Sequence, residues 1–558
     1  MDKNGQMNLV ESENEIPIFR RSICKIDDLS LEERIYFYNY VRKIKQDALR
    51  REDLSKYLIE RKTPQELKAN LVFLEDSTRT DQSFQNALMF HSIPYSDFDV
   101  NRSSFNKSET YYDTFKTLMG YGSSIFVVRS KVEGLCRWLD NSLTSYASDF
   151  SINTGQQMPK PLFINAGDGM HEHPTQELLD EYSFLEQFNF NNQEIHIALI
   201  GDLRHGRTVH SKVDGLKIFE KVKVDLIAPP EIGMPKDYIE KMKQLGYEIN
   251  EFESLNEYLS QKDKSSIAPI FYFTRLQKER MDEETQKKIS RFEKQLSISE
   301  ENIIMVPYYT RLYHPLPRDK NYIMISRFLD KTPFNRYDEQ SQNGYFTRIG
   351  LLSMLLGYFD QELVGKRKRE QVFIDDFVNE ATILPKKSNK PEYRKAIRPI
   401  EDGIVIDHIA RGEKPSDIWE IITRIRKSLK LDSIGSQGVF TSTPVDGVDY
   451  YKGIISIHGY NISGAEDDFV RKLSAISPNC TLNIIEGSKI TKKYRLGMPQ
   501  AVIGFDGTSC KNPNCISYPA YNEGVTPSFH SNNTNGAKQF ICDYCDTPHE
   551  YSTIFDPK

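Results

Sequence analysis

The chain has 558 residues, of which 38% are hydrophobic and 11% aromatic, enough to bury cores in roughly three to five domains. Its formal net charge is -6 at pH 7, so the chain as a whole is not basic as nucleic-acid-binding and membrane-surface proteins are. Residues 1–19 are polar and acidic, and no stretch approaches the about 20 apolar residues of a membrane span. We therefore expect a cytoplasmic protein that contacts neither nucleic acid nor membrane.

The first half of the chain alternates short apolar runs with amphipathic stretches, which is typical of an α/β fold. Helical periodicity covers residues 20–60, and later helix and turn signals lead to the run at 165–169. A polar stretch at 101–110 has no apolar face and indicates an exposed loop. We predict strands at 71–74, 125–128, 195–200, 222–227 and 267–273, and helices at 208–219 and 340–356.

The first predicted strand runs directly into Ser77-Thr78-Arg79-Thr80, which opens a helix. Free backbone N–H groups and the positive end of the helix dipole favour an anion at such a junction. The hydroxyls and the guanidinium fork are also suited to phosphate oxygens. Because Ser and Thr are common helix caps as well, this segment alone leaves an N-cap and a phosphate pocket equally open.

Cationic side chains recur where predicted strands or turns end, which is where open α/β sheets bind ligands. These residues are Arg79, Arg129, His173, Arg207 and Arg275. In an acidic chain they indicate a pocket for a strongly anionic pair of substrates. This half contains no Walker-type loop, no Gly-x-Gly-x-x-Gly, no nucleophile elbow and no metal-ligand cluster in its sequence. The pattern favours direct group transfer, driven by positioning and charge stabilisation.

The second half begins after a change in composition. Basic runs at 366–369 and 386–391 indicate a solvated connector, and no aromatic residues interleave them as in a nucleic-acid patch. From residue 403 to about 495 the pattern is that of a strand-rich α+β module.

Four cysteines crowd into the last fifty residues, as the pairs Cys510-x₄-Cys515 and Cys542-x₂-Cys545. Four thiolates in two close pairs suit a closed tetrahedral zinc site. Two disulfides or four unrelated thiols are disfavoured in a cytoplasmic protein. A nucleic-acid-binding zinc ribbon is disfavoured because Lys and Arg are sparse nearby. We predict a structural zinc ion, one per chain.

Five motifs between residues 20 and 360 occur in the order found in the catalytic chain of aspartate carbamoyltransferase, which this half closely resembles. The motifs are Phe73–Thr80, His173–Gln176, Gly201–Ser211, Thr274–Arg280 and His314–Arg318. The resemblance implies a two-lobed α/β fold of parallel sheets with flanking helices. Residues 1–172 would bind carbamoyl phosphate, completed by a helix at about 338–358, and residues 173–337 would bind L-aspartate.

The resemblance also implies roles for individual residues, with no catalytic metal or organic cofactor. Ser103 and Lys107 would reach the active site of a neighbouring chain, so that catalysis needs a trimer with shared active sites. The implied catalytic residues are Arg79, Thr80, Lys107, Arg129 and His173. The implied substrate-binding residues are Ser77, Thr78, Ser103, Gln176, Arg207, Arg275, Gln277, Pro315 and Leu316.

Two alternatives to an aspartate carbamoyltransferase are disfavoured by the sequence. An ornithine carbamoyltransferase carries Cys in a His-Cys-Leu-Pro turn, where this chain has Pro315, and its ornithine motif is absent. Arg275 and Gln277 suit a dicarboxylate, so aspartate is favoured. A catalytically inactive, nucleotide-binding scaffold of the same fold is disfavoured because the implied catalytic residues are present.

The second half resembles the regulatory chain of the same enzyme from about residue 393. The resemblance rests on Gly403–Ile409, Lys452–Ile457 and Cys510–Ser517. It implies a linker at 359–392, an α+β nucleotide-binding domain at 393–497 and a small β-rich zinc domain at 498–558. Dimers of this region would link catalytic trimers.

CTP and ATP are the effectors that this resemblance implies. By motif, Asp407, His408 and Lys493 would face the nucleotide. Ser456 stands where the regulatory family carries a lysine that is important for sensing nucleotides. The effector response is therefore expected to be weak, altered or absent, and neither its sign nor the final stoichiometry follows from the sequence.

Overall fold

The computed structural model describes residues 19–59, 67–99, 107–261, 263–357, 377–383, 399–431, 435–442, 449–462, 466–505, 507–532, 539–551 and 553–555. The chain folds into two compact units, Met1–Glu370 and Gln371–Lys558. Within the described ranges, no helix is long and apolar enough to cross a lipid bilayer.

The first lobe of the first unit is built on a four-stranded parallel sheet in the order β2-β1-β3-β4. Its strands are β1 Ala69–Phe73, β2 Tyr95–Asp97, β3 Ile125–Ser130 and β4 Leu162–Asp168. Its helices are α1 Leu31–Arg50, α2 Thr78–Phe90, α3 Tyr111–Gly120, α4 Leu135–Thr154 and α5 Pro174–Gln187. The residues of β4 are all buried.

The second lobe contains a five-stranded parallel sheet in the order β7-β6-β5-β8-β9. Its strands are β5 Glu194–Ile200, β6 Lys221–Ile227, β7 Glu248–Phe252, β8 Ile270–Phe273 and β9 Arg311–Tyr313. Its helices are α6 Arg207–His210, α7 Lys212–Gly215, α8 Lys236–Gln244, α9 Leu255–Leu259, α10 Glu283–Gln286 and α11 Ile289–Leu296. The carboxyl ends of parallel strands lie at one edge of a sheet, so both lobes offer such an edge to a ligand.

Helix α12, Tyr337–Leu356, returns from the second lobe and packs against α1, α2 and α5. This is the helix expected to complete the first lobe. The expected boundary at residues 172 and 173 falls at the start of α5, which packs against both β4 and α7. The boundary is thus spanned by a continuous core rather than by an open linker.

One predicted helix is interrupted in the structure, and several observed strands, β4 among them, were not predicted. The helix expected at 208–219 is divided into α6, α7 and a short 3₁₀ turn, and Ser211 at the break bonds the Arg207 carbonyl with its hydroxyl. Strand β4 was not predicted because it carries buried polar side chains. Asn165 donates to the Cys24 carbonyl, and Asp168 accepts from the Gly134 N–H, so their burial is compensated.

The second unit contains a six-stranded antiparallel sheet in the order β10-β15-β14-β11-β13-β12. Its strands are β10 Val378–Glu380, β11 Gly403–Ile409, β12 Gly435–Ser442, β13 Tyr450–His458, β14 Thr481–Glu486 and β15 Lys489–Leu496. Its helices are α13 Pro415–Ser428 and α14 Glu466–Ile476, and α13 packs against β11, β12 and β13.

A small antiparallel sheet follows, in the order β16-β17-β18-β19. Its strands are β16 Ala501–Ile503, β17 Ser528–Asn532, β18 Gln539–Cys542 and β19 Pro548–Glu550. The α+β module and the β-rich C-terminal module therefore have the architectures expected for them.

The segment expected to be a linker, 359–392, is described only at residues 377–383. There Val378–Glu380 form the edge strand β10, antiparallel to β15, and Phe377 is 7% exposed. This part of the segment belongs to the six-stranded sheet and is not a solvated connector. The basic runs lie outside the described residues.

Candidate active site and metal centre

The junction between β1 and α2 presents its donors to solvent. Ser77 is the N-cap residue of α2, but its side chain makes no capping hydrogen bond. Thr80 is buried, and burial lowers the pKa of Arg79. The hydroxyl of Ser77 is therefore not used as a cap, and the N-terminus of the helix keeps its preference for an anion.

A cleft of about 860 Å³ opens at this junction, between the carboxyl edges of the two parallel sheets. Ser103 lies outside the described residues, and Lys107 is exposed and does not line the cleft. Every other catalytic or substrate-binding residue predicted from the sequence lines it, namely Ser77, Thr78, Arg79, Thr80, Arg129, His173, Gln176, Arg207, Arg275, Gln277, Pro315 and Leu316.

Three of these side chains converge on Gly167, near the end of β4. A Cβ atom at Gly167 would lie 3.1 Å from Arg129 Nη1, 3.2 Å from Arg207 Cζ and 3.2 Å from His173 Cδ2. The φ angle of Gly167 is 115°, a value that side-chain-bearing residues rarely adopt. Glycine therefore allows two guanidinium groups and an imidazole to meet beside the backbone.

Glu75, which follows β1, balances the cationic groups of the cleft. Its carboxylate lies 3.0 Å from Arg207, 3.2 Å from Arg129 and 3.5 Å from Arg280. Burial opposes its ionisation, but these arginines hold its pKa below the usual range. Burial and Arg207 lower the pKa of Arg129 to about 9, so Arg129 remains charged at neutral pH.

His173 is 4% exposed and is the N-cap residue of α5. Burial, reinforced by Arg129 and Arg207, lowers the pKa of His173 well below its ordinary value of 6.5. Its ring nitrogen Nδ1 lies 3.3 Å from the hydroxyl of Thr175. The imidazole is therefore neutral at physiological pH and offers one N–H donor.

The side of the cleft formed by the second lobe carries the residues expected to recognise aspartate. Arg275 forms an ion pair with Glu279 on the same turn of chain, and the Gln277 N–H donates to Asp202 at 3.2 Å. Leu316 has a φ of 56° and is followed by a cis peptide bond to Pro317. Pro315, Leu316 and Pro317 in this turn line the cleft.

The residues expected to face an effector come together on the sheet of the second unit. Asp407 forms an ion pair of 2.8 Å with Lys452. The pKa of His408 is lowered by burial, and Lys452 and Lys493 contribute to this shift. Ser456 is 1% exposed, pairs with Val405 in the ladder and has no hydrogen-bond partner for its hydroxyl among the described residues.

The four C-terminal cysteines form one buried cluster. Their sulfur atoms all lie within 4.8 Å of one another, and all four cysteines are free of disulfide bonds. The Cys510–Cys545 and Cys515–Cys542 sulfur distances are 3.7 Å and 3.8 Å. Sulfurs bound to one tetrahedral metal at about 2.3 Å are about 3.8 Å apart, so the cluster fits a closed structural metal site.

A histidine that the sequence did not single out lies beside this cluster. His549 Nε2 is 3.2 Å from Cys510 Sγ, and the ring is 7% exposed. The position of His549, four residues after Cys545, was the available signal. We assign it as a hydrogen-bond partner of a ligand, a common arrangement around metal sites.

Other residues of the cleft also escaped the sequence argument. Glu75 and Arg280 lie within two of the sequence motifs, but the sequence of a motif does not show which residue forms an ion pair with a charged side chain in it. Gln340 and Arg348 line the cleft from α12, where periodicity predicted only a helix. Their contribution depends on packing between elements that are distant in sequence.

Comparisons with protein families agree with this architecture. Residues 21–186 match the carbamoyl-P binding domain of aspartate/ornithine carbamoyltransferase. Residues 395–497 match the allosteric domain, and residues 500–555 the metal binding domain, of the aspartate carbamoyltransferase regulatory chain.

Individual relatives cover nearly all of the chain or its first part. Protein PyrBI of Thermotoga maritima is 47% identical over 541 residues, covering 96% of this chain and 98% of the relative. Protein PyrBI of Treponema denticola is 45% identical over 543 residues, with the same two coverages. This chain also resembles the crystal structure of aspartate transcarbamoylase from Trypanosoma cruzi in complex with carbamoyl phosphate and aspartate. The two structures match with a TM-score of 0.50 and 28% sequence identity, and the match covers 62% of this chain and 100% of that chain.

Proposed function

Because the chain belongs to the aspartate carbamoyltransferase family, with catalytic and regulatory parts joined in one polypeptide, we propose that its cleft carries out this transfer as follows. The amine of L-aspartate attacks the carbamoyl carbon of carbamoyl phosphate. A C–N bond forms, and the bond between the carbamoyl carbon and the oxygen that bridges to phosphorus breaks. Phosphate leaves with that oxygen and takes up the proton that the amine loses, and N-carbamoyl-L-aspartate is released. The reaction is an early step of pyrimidine biosynthesis.

Convergence at Gly167 is the observation that best supports this proposal. Arg129 and His173 meet there, and with Thr80 they would donate to the carbamoyl oxygen as negative charge develops on it. A neutral His173 suits this role because it donates a hydrogen bond without adding another cation to the site. Ser77, Thr78 and Arg79 would hold the phosphate at the N-terminus of α2.

The second lobe would bind and orient aspartate. Arg207 and Arg275 would clamp the two carboxylates, with Gln277 beside them, and both guanidinium groups now face carboxylates of the protein. Aspartate would therefore replace or share the partners Glu75 and Glu279. The carbonyl groups of Pro315 and Leu316 would accept from the amine and keep its lone pair directed at the carbamoyl carbon.

The metal is proposed to be zinc with a structural role. Cys510, Cys515, Cys542 and Cys545 would hold it, and their spacing leaves no open position for a substrate. Bound zinc would supply no chemistry to the reaction; it would cross-link the loops of the small sheet.

The quaternary arrangement is also proposed. Lys107 is exposed and absent from the lining of its own cleft, as expected if it and Ser103 complete a neighbouring site in a catalytic trimer. Dimers of the regulatory region would link such trimers. Asp407, His408 and Lys493 would face CTP or ATP, with a response limited by Ser456.

The deciding experiment incubates the full chain with carbamoyl phosphate and either aspartate or ornithine, and follows phosphate and the carbamoyl amino acid. We expect product with aspartate only. Product with ornithine would identify the other substrate class, and no product with either would favour an inactive scaffold. Titrating CTP and ATP in the same assay measures the effector response.

A further inference from the structure

A buried carboxylate outside the residues discussed so far connects the two sides of the cleft. Asp180, one turn after Gln176 on α5, is 0% exposed. Its Oδ1 accepts from Gln176 Nε2 at 2.9 Å and from Gln340 Nε2 at 2.6 Å. Its Oδ2 accepts from Lys212 Nζ at 2.6 Å and from the Tyr272 hydroxyl at 2.7 Å. One donor from the same helix and three from other elements therefore converge on one side chain.

The same hydrogen bonds continue to the turn that carries the substrate carbonyls. The Oε1 atom of Gln340 accepts from the His314 N–H at 2.9 Å, and His314 Nδ1 accepts from the Leu316 N–H at 2.8 Å. Gln340 and His314 are 1% and 2% exposed. Asp180 is therefore connected to Gln176 on the carbamoyl side and to Leu316 on the aspartate side.

The chemistry of a carboxylate fixes the orientation of both amides. An ionised carboxylate accepts hydrogen bonds and donates none, so both glutamines turn their NH₂ groups toward Asp180. Gln176 lines the cleft, and none of the described residues donates to its Oε1. The amide oxygen of Gln176 is therefore the atom that meets a substrate donor.

We propose that Asp180 is a positioning residue, which orients the Gln176 amide so that its oxygen accepts from the NH₂ of the carbamoyl group. Through Gln340 and His314 it also holds the turn at Leu316. This inference rests on the proposed carbamoyl-binding role of Gln176. Asp180 itself touches neither substrate.

The variant D180N tests the orientation because it keeps the shape and replaces one acceptor by a donor. The ammonium of Lys212 can only donate and therefore requires an oxygen, so the new amide must turn its NH₂ toward Gln176 and Gln340. The NH₂ groups of both glutamines then face another NH₂ group, and Gln176 is driven to present its own NH₂ to the cleft. The KM for carbamoyl phosphate should rise about tenfold to a hundredfold.

The double variant D180N/Q176E reverses the polarity of the pair. The carboxylate at position 176 accepts from the amide at position 180, and its second oxygen again faces the cleft as an acceptor. The KM for carbamoyl phosphate should fall below that of D180N, because the acceptor that faces the carbamoyl NH₂ is restored, although Gln340 still faces the new amide. If D180N does not fold, the comparison of D180N/Q176E with Q176E decides, since an equal KM in these two variants overturns the proposal.

Two further measurements separate positioning from general damage. Y272F removes a donor from Oδ2 and leaves Oδ1 with its glutamine partners, so it should lower Tm without changing this KM. Inhibition by inorganic phosphate should be unchanged in D180N, since phosphate does not contact the amide of Gln176. A D180N enzyme with the wild-type KM, or with phosphate inhibition weakened in parallel, overturns the proposal.

The role of Gln176 is tested separately with Q176A. If Q176A leaves the KM for carbamoyl phosphate unchanged, the proposed role of Gln176 is wrong. If Q176A raises it and D180N does not, Gln176 keeps its role and Asp180 does not orient it.

Discussion

The carboxylate of Glu75 and the guanidinium of Arg207 lie 3.0 Å apart and join the two lobes of the first unit. Glu75 follows β1 in the first lobe, and Arg207 begins α6 in the second. This ion pair holds Arg207, which is proposed to bind substrate, against the first lobe.

The variant E75Q should lower kcat about tenfold, because the neutral amide leaves neighbouring arginines without their anion and weakens the link between the lobes. Steady-state kinetics with both substrates measures the change. E231Q is the matched control, since Glu231 pairs with Lys288 and Arg291 within the second lobe. Equal kinetics for E75Q and E231Q would contradict the assignment.

The variant H173A should reduce kcat about 10²–10³-fold, the usual loss when one oxyanion donor is removed. The pKa of His173 is held far below 6.5 by burial and by Arg129, so its ionisation should not shape the wild-type kcat profile between about pH 6 and 8. H458A, at an exposed histidine of the second unit, is the control. An H173A enzyme with wild-type kcat would remove His173 from the mechanism.

His314 should make thermal stability depend on pH. Burial and Arg318 lower its pKa to about 3, whereas the unfolded chain binds this proton near 6.5. Stability is therefore present above 6.5 and is lost as pH falls toward 3, with a loss of about 2 kcal/mol at pH 5. H314N keeps an acceptor for the Leu316 N–H and does not titrate. Its Tm should therefore fall less between pH 7 and 5 than the Tm of the wild type does. Equal decreases in the two Tm values would refute this prediction.

Metal analysis should return one zinc ion per chain. Treatment with an organomercurial should release it and reduce the size of the assembly, because the four thiolates would no longer cross-link the small sheet. H549A should release zinc to a chelator faster, since Cys510 loses its hydrogen-bond donor. An assembly of unchanged size after complete zinc loss would exclude a bridging role for the module.

Shared active sites predict complementation between two inactive variants. K107Q and H173A should each lose activity, but mixed trimers contain sites in which both wild-type residues meet. Dissociating and reassembling the two proteins together should restore activity, measured against each variant reassembled alone. If mixed trimers form and remain inactive, Lys107 does not act in a neighbouring site.

The sequence predicted the parts of the fold that have a regular apolar pattern. The strands at 125–128 and 195–200 lie within observed strands because continuous apolar runs suit buried parallel strands. Strand β4 was not predicted because its buried polar residues form hydrogen bonds with residues distant in sequence, such as Cys24 and Gly134. A periodicity argument has no access to those partners.

The same division applies to the cleft. Motifs located His173 and Arg207, and the end of the predicted strand at 125–128 located Arg129, since these residue types carry the chemistry. Asp180 was not located because its effect passes through Gln176 and Gln340, which lie on α5 and α12. Such a role becomes visible only when both helices are placed side by side.

The convergence at Gly167 has a consequence for how variants of this chain should be interpreted. A single added methyl group would press on Arg129, Arg207 and His173 simultaneously. A Gly167→Ala change found in a genome would look conservative, yet it would displace three functional groups by a few tenths of an ångström. A residue that contributes no functional group of its own therefore controls the geometry of those that do.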